Sequence, residues 1–173
     1  QMLVTWSRLI SGRLRDPQVG RDLVIGAVAG LLETLVTFGY HMLPGLMGWP
    51  EFRAAPVRLE GLLDLGQLLG GVFVSIRVGL ENAVLGAVGL VLVRMAVGRL
   101  WATFLVAMVL FSPLAAQGQV QGGVLALDLT VGALLVAIVL FVILRFGIFA
   151  GIVTFSVHLL TKDVPLTLDG ARF

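Results

Sequence analysis

The sequence contains no cysteine and little charge, and each of these deficits excludes a class of protein. Without cysteine there can be no disulfide, no thiolate nucleophile and no cysteine-ligated metal. Only 13% of the 173 residues are charged, whereas 58% are hydrophobic, and the mean hydropathy is +1.04. A chain with so few polar groups cannot cover a water-soluble surface. We therefore predict an integral membrane protein.

The sequence also lacks the common catalytic motifs. Its two histidines, His41 and His158, are distant from one another, neither belongs to an HExxH motif, and there is no GxSxG and no glycine-rich phosphate loop. The length suffices for four or five spanning helices but not for a soluble catalytic domain as well. We expect no catalytic residue, cofactor or metal site in this stretch. No nucleic-acid partner is expected either, because the arginines flank apolar segments as they do in cytoplasmic loops.

The apolar segments predict an all-α fold, a polytopic transmembrane helical bundle. Pro44-Gly45 is predicted to end the first span, and Arg145-Phe146-Gly147 to separate the last two. The fifth segment is too short for an ordinary crossing, so it spans tilted, thins the bilayer locally or re-enters. The predicted spans cover residues 23–43, 72–97, 101–116, 124–144 and 146–160, and residues 162–173 are interpreted as a truncated tail.

A charged run from Trp6 to Asp22 precedes the first span. The spacing of its apolar residues predicts an amphipathic helix at the membrane surface, then a turn at Asp16-Pro17, with Asp22 as the N-cap of the first span. By the positive-inside rule this run lies on the cytoplasmic side, against anionic lipid headgroups. The orienting basic residues are Arg8, Arg13, Arg15 and Arg21.

Glu33 is the principal ionisable residue of the first span. Steps of three and four residues place it on one helix face with Gly26, Gly30, Thr37 and His41. The glycine pair has the small-xxx-small spacing that admits a neighbouring helix closely. Glu33 should therefore point into the bundle, either as a functional group or as a carboxyl group that only fixes helix packing.

The second span carries three polar residues, Arg77, Glu81 and Asn82. Arg77 and Glu81 could pair along their own helix, Arg77 could extend to the headgroups, or Arg77 could reach Glu33. Small residues along this span and the fifth predict further close packing. They are Gly86, Gly89, Gly147 and Gly151.

Two stretches resemble the C-terminal membrane domain of large bacterial serine/threonine protein kinases. In WSRLISGRLRDPQVGRDLVIG, a tryptophan, GRxRDP and VGRD lead into a hydrophobic helix, and LRFGIFAGIVTFSVHLL followed by VPLTLD is similar to the late part of the same domain. Residues 44–123 share only hydrophobicity with it. The resemblance implies a non-catalytic module that anchors a kinase in the bacterial inner membrane and senses a signal there. A cytoplasmic kinase domain would then precede Gln1 in the same chain.

A second interpretation is a small stand-alone transporter or channel component. It would use Glu33 with Arg77 or Glu81 in an ion or proton path. In either case the small-residue seams would also suit a homo-oligomer.

Overall fold

The computed structural model describes residues 16–48, 65–119 and 124–162, together with residues 8, 11 and 12. The described residues form five α-helices, and the predicted helical membrane bundle is confirmed. The first four are long and apolar enough to cross a membrane, and the fifth is shorter. The helices are α1 (Pro17–Met47), α2 (Leu65–Val97), α3 (Leu100–Gln119), α4 (Leu125–Phe146) and α5 (Ile148–Lys162).

The first helix begins at Pro17, six residues before the predicted span. The backbone N–H of Gln18 donates to Oδ1 of Asp16 at 2.9 Å, so Asp16 is the N-cap and the proline occupies the first helical position. The prediction of Asp22 as N-cap was wrong, since Asp22 lies inside α1. Of the surface segment before α1, the structure shows Arg8 paired with Asp16 at 2.7 Å. The hydroxyl of Ser11 donates to the carbonyl oxygen of Arg8, and Gly12 has a left-handed φ of 76°. The other residues of the predicted amphipathic helix, Arg13 and Arg15 among them, lie outside the described residues.

The first helix also runs past its predicted end at Pro44-Gly45 and stops at Met47. Proline removes one backbone donor, and a membrane helix tolerates that loss when its surroundings compensate. The helix ends instead because the next residue, Gly48, adopts a left-handed conformation with a φ of 65°. The second helix likewise begins at Leu65, seven residues before the predicted span, while the tail from residue 163 lies outside the described residues.

The fifth helix runs parallel to the first. A Cβ atom at Gly26 would lie 2.6 Å from the carbonyl oxygen of Ala150, and one at Gly30 would lie 2.5 Å from that of Thr154. Equal four-residue steps on both helices fix this direction and register. Since Tyr40 meets Asp128 while Ala29 meets Val142, α4 runs opposite to α1, and the chain reverses between α4 and α5.

The reversal takes a single residue, Gly147, whose φ is 102° and ψ is 178°. Its backbone N–H donates to the carbonyl oxygens of Val142 and Ile143. Gly147 was predicted to belong to a packing face, whereas here it ends α4. The fifteen residues of α5 then rise about 22 Å beside α1, less than the roughly 30 Å hydrocarbon core.

Several glycines lie where helices approach each other closely. Gly79 of α2 faces Ser156 of α5, so the fifth helix lies between α1 and α2. Gly89 faces the ring of Phe111, while Gly86 and Gly151 both face Ile143. A larger apolar core joins α2, α3 and α4 through Ala87, Leu90, Ala107, Val136, Val139, Leu140 and Ile143.

Candidate functional site

Glu33 lies where three helices meet. On α1, Gly26 and Gly30 face α5, whereas Ala29 and Tyr40 face α4. By helical periodicity Glu33 projects between these two sets, and only 2% of it is exposed. Among the buried side-chain oxygens and nitrogens that the structure describes, its Oε1 is the one without a hydrogen-bond partner. Glu33 is thus placed inside the bundle, as predicted.

A polar link joins α1 to α5 one residue after Glu33. Oγ1 of Thr34 donates to the carbonyl oxygen of Gly30 at 3.0 Å, lies 3.3 Å from Nδ1 of His158 and 2.6 Å from Oγ1 of Thr161. His158 is itself 2% exposed. Because the hydroxyl and imidazole groups satisfy one another, they can be buried between the helices and can fix their relative height.

A second polar link joins α1 to α4 nearer the other end of the bundle. The hydroxyl of Tyr40 donates to Oδ1 of Asp128 at 2.5 Å, and Tyr40 is 2% exposed. The ring of Tyr40 packs against Leu135, which lies on α4. Both interhelical links, one formed by Thr34 and the other by Tyr40, therefore follow Glu33 along α1.

His41 does not share this buried face, although the spacing predicted that it would. It is exposed. Successive steps of four residues drift around a helix by about 40° each, because 3.6 residues make a turn. In addition, the register of α1 and α5 sets Lys162, the end of α5, near residue 38, so α5 does not reach the level of His41. Tyr40 occupies the buried position instead.

Arg77 is not brought to Glu33. Its guanidinium lies 3.7 Å from the carboxylate of Glu81 on the same helix, and both side chains are exposed on the outside of the bundle. Neighbouring Asn82 is half-buried. An exposed pair along one helix stabilises it by only about 0.2–0.5 kcal/mol in water. One charged residue at mid-membrane costs about 2.5–3.5 kcal/mol on insertion scales.

A third polar group, Asp22, lies toward the start of α1. Its carboxylate is fully buried, and Oδ1 accepts from Nε and an Nη of Arg21 at 3.0 and 2.9 Å. The buried face of α1 thus carries Asp22, Glu33 and Tyr40 along one line, and Thr34 lies to one side of it, toward α5. This line connects the arginine-rich segment with the centre of the bundle.

The arrangement can bind a proton, a small cation or a polar group at Glu33, because a carboxyl oxygen without a partner remains available there. The described part of the chain contains no group of three histidine or acidic residues suited to a metal ion. Hydroxyls of Thr37, Thr154 and Ser156 are occupied by carbonyls of their own helices. Proton, cation or polar-ligand binding is the chemistry that this site supports, without a nucleophile set beside it.

Sequence reasoning identified Glu33 but missed its neighbours Thr34, Tyr40, Asp128, His158 and Thr161. No partner for His158 could be identified from the sequence, because Thr34 is 124 positions away in the chain. The available signal was a pattern of polar residues on α5 at helical spacing, Thr154, His158 and Thr161, opposite the glycines of α1. No protein-family model, curated protein or solved structure matches this chain, so the site rests on its geometry.

Proposed function

We propose that the chain is the membrane-anchoring and signal-coupling module of a bacterial serine/threonine protein kinase. The proposal is supported by the resemblance of the segments on both sides of the bundle, Trp6–Asp22 and Leu144–Asp169, to the kinase membrane domain. It also agrees with an apolar helical bundle in which four of the described helices are long enough to cross a membrane. The arginine distribution favours a cytoplasmic N-terminus in the bacterial inner membrane, on the side where a kinase domain would act.

One observation carries the coupling part of the proposal: α1 is a continuous helix from its cap at Asp16 to Met47. The same helix holds Asp22 near the arginine-rich segment, Glu33 at the three-helix junction and Tyr40 at the link to α4. A helix moves as a rigid element over such a length. A proton or ligand taken up at Glu33 would therefore shift the height or rotation of α1, and the segment before Asp16 would move with it.

Two measurements test this proposal. The reading frame upstream of Gln1 should encode a kinase domain, and a start codon immediately upstream would overturn the proposal.

In the complete protein, Thr34→Val should change autophosphorylation by at least about threefold, since it removes the link from α1 to His158 and Thr161. Thr130→Val is the matched control, because that hydroxyl is exposed and bonds only its own helix at Ala126. Equal autophosphorylation by Thr34→Val and Thr130→Val would mean that the module anchors the kinase but does not couple a signal to it.

A second candidate function, proton or cation transport, is favoured by the unpartnered Oε1 of Glu33. If the chain conducts protons, Glu33→Gln should lower pH-driven flux into proteoliposomes by at least about tenfold, because the amide cannot take up and release the proton. Thr130→Val should leave the flux unchanged, since that hydroxyl is exposed and donates to the carbonyl oxygen of Ala126 in its own helix. Equal flux through Glu33→Gln and unaltered protein would assign Glu33 to packing.

A further inference from the structure

The second helix has two opposite faces, and only one of them is covered. The inner face, with Gly79, Ala83, Ala87 and Leu90, packs on the other helices. The opposite face follows alternating steps of four and three residues, the heptad pattern of paired helices. All eight of its residues are exposed: Gly70, Val74, Arg77, Glu81, Val84, Val88, Val91 and Met95. We name this set the outer seam.

One member of the ion pair in the outer seam, Glu81, lies within the hydrocarbon wherever α2 crosses the membrane, and Arg77 is four residues before it on the same helix. Crossing the membrane takes about 20 helical residues, and every such window of Leu65–Val97 includes residues 78–84. Glu81 is in all of these windows. The packing agrees, because Gly79, between Arg77 and Glu81, faces Ser156 in the body of α5. A charged pair at this depth normally faces protein, not lipid.

The pair is self-complementary about a two-fold axis normal to the membrane. In two parallel copies of α2, Arg77 of one copy is adjacent to Glu81 of the other, because neighbouring seam positions interlock. The contact is reciprocal, so two arginines and two glutamates form a closed ring of alternating charge. In the same arrangement, Val74, Val84, Val88 and Val91 of one copy pack against the outer seam of the other copy.

We propose that the outer seam binds the outer seam of a second copy of this chain, in a two-fold dimer in which each Arg77 pairs with the Glu81 of its partner copy. The inference concerns a surface remote from Glu33 and does not depend on the proposed function. The main competing arrangement keeps the ion pair of Arg77 and Glu81 within one helix of one copy.

A charge-complementation experiment separates the two arrangements. Copies with Arg77→Glu and copies with Glu81→Arg, carrying different affinity tags, are expressed separately or together, and co-purification from mild detergent is measured. Each variant alone should lose self-association by at least about tenfold, and the mixture should recover it to within about threefold of the unaltered chain, because unlike charges then meet across the seam. A mixture no better than the single variants would overturn the proposal.

Oxidative cross-linking keeps the native charges and therefore does not depend on the folding of charge variants. The absence of native cysteine makes a single introduced cysteine unambiguous. Val88→Cys lies in the outer seam, whereas Val109→Cys lies on the exposed surface of α3. The first should yield at least about ten times more disulfide-linked dimer in membranes than the second. Equal yields would overturn the dimer.

Discussion

Replacing Gly30 by leucine is expected to force α1 and α5 apart and to lower the free energy of unfolding by about 1–3 kcal/mol or more. A Cβ atom at Gly30 would lie 2.5 Å from the Thr154 carbonyl oxygen and 2.9 Å from Cβ of Val157. The first contact is backbone, which cannot rotate away. The helices would have to separate, and the Thr34 link beside it would lengthen or break.

Gly39→Leu is the matched control for this effect, since it changes the same residue type on the same helix. A Cβ atom at Gly39 meets nothing within 4 Å. Leucine there should be neutral or slightly stabilising, because glycine is a poor helix former. Unfolding in mixed micelles with increasing denaturing detergent measures both variants. Similar midpoints for Gly30→Leu and Gly39→Leu would contradict the close contact between α1 and α5.

Gly147→Val is expected to remove the reversal between α4 and α5. The backbone there has φ 102° and ψ 178°, a region that essentially only glycine populates, and entry costs other residues about 1–3 kcal/mol. A β-branched side chain is among the least tolerant of positive φ. With valine the turn should open, so that α5 no longer lies between α1 and α2.

A disulfide reporter measures that loss. The side-chain oxygens of Thr34 and Thr161 are 2.6 Å apart, so cysteines at these two positions should oxidise readily to a disulfide. In the Gly147→Val background, disulfide formation should fall at least about tenfold. Gly20→Val is the control, since Gly20 is an exposed helical residue with open space around it. Unchanged disulfide formation with Gly147→Val would show that the reversal does not require glycine.

The sequence was sufficient to predict the helices, because long apolar segments with few charges have one stable form in a bilayer. It also placed Glu33 in the interior and the glycine pair, Gly26 and Gly30, at a helix contact. Helix ends were less predictable. The first helix starts six residues early because Asp16 caps it, and a cap depends on one local hydrogen bond that Asp22 could equally have supplied.

The partners of the polar residues could not be predicted, because helical periodicity gives the face of a residue but not the helix opposite. Thr34 meets His158 only since Gly147 turns α5 back along α1. From the sequence, Arg77 could pair with the carboxylate of Glu33 or with that of Glu81. The rotation of α2 about its own axis determines which of the two it meets. That rotation is set by Gly79 and Ala83, which turn toward α5 and leave Arg77 outside.

The single-residue reversal at Gly147 also bears on how the chain enters the bilayer during synthesis. The helix that follows it has only fifteen residues and includes Thr154, Ser156 and His158, so it would partition into lipid weakly by itself. The groove that receives it is formed by the two helices synthesised first among those described. We therefore expect α5 to enter the membrane by docking onto α1 and α2, so that these two helices reach their final spacing only after α5 has been synthesised.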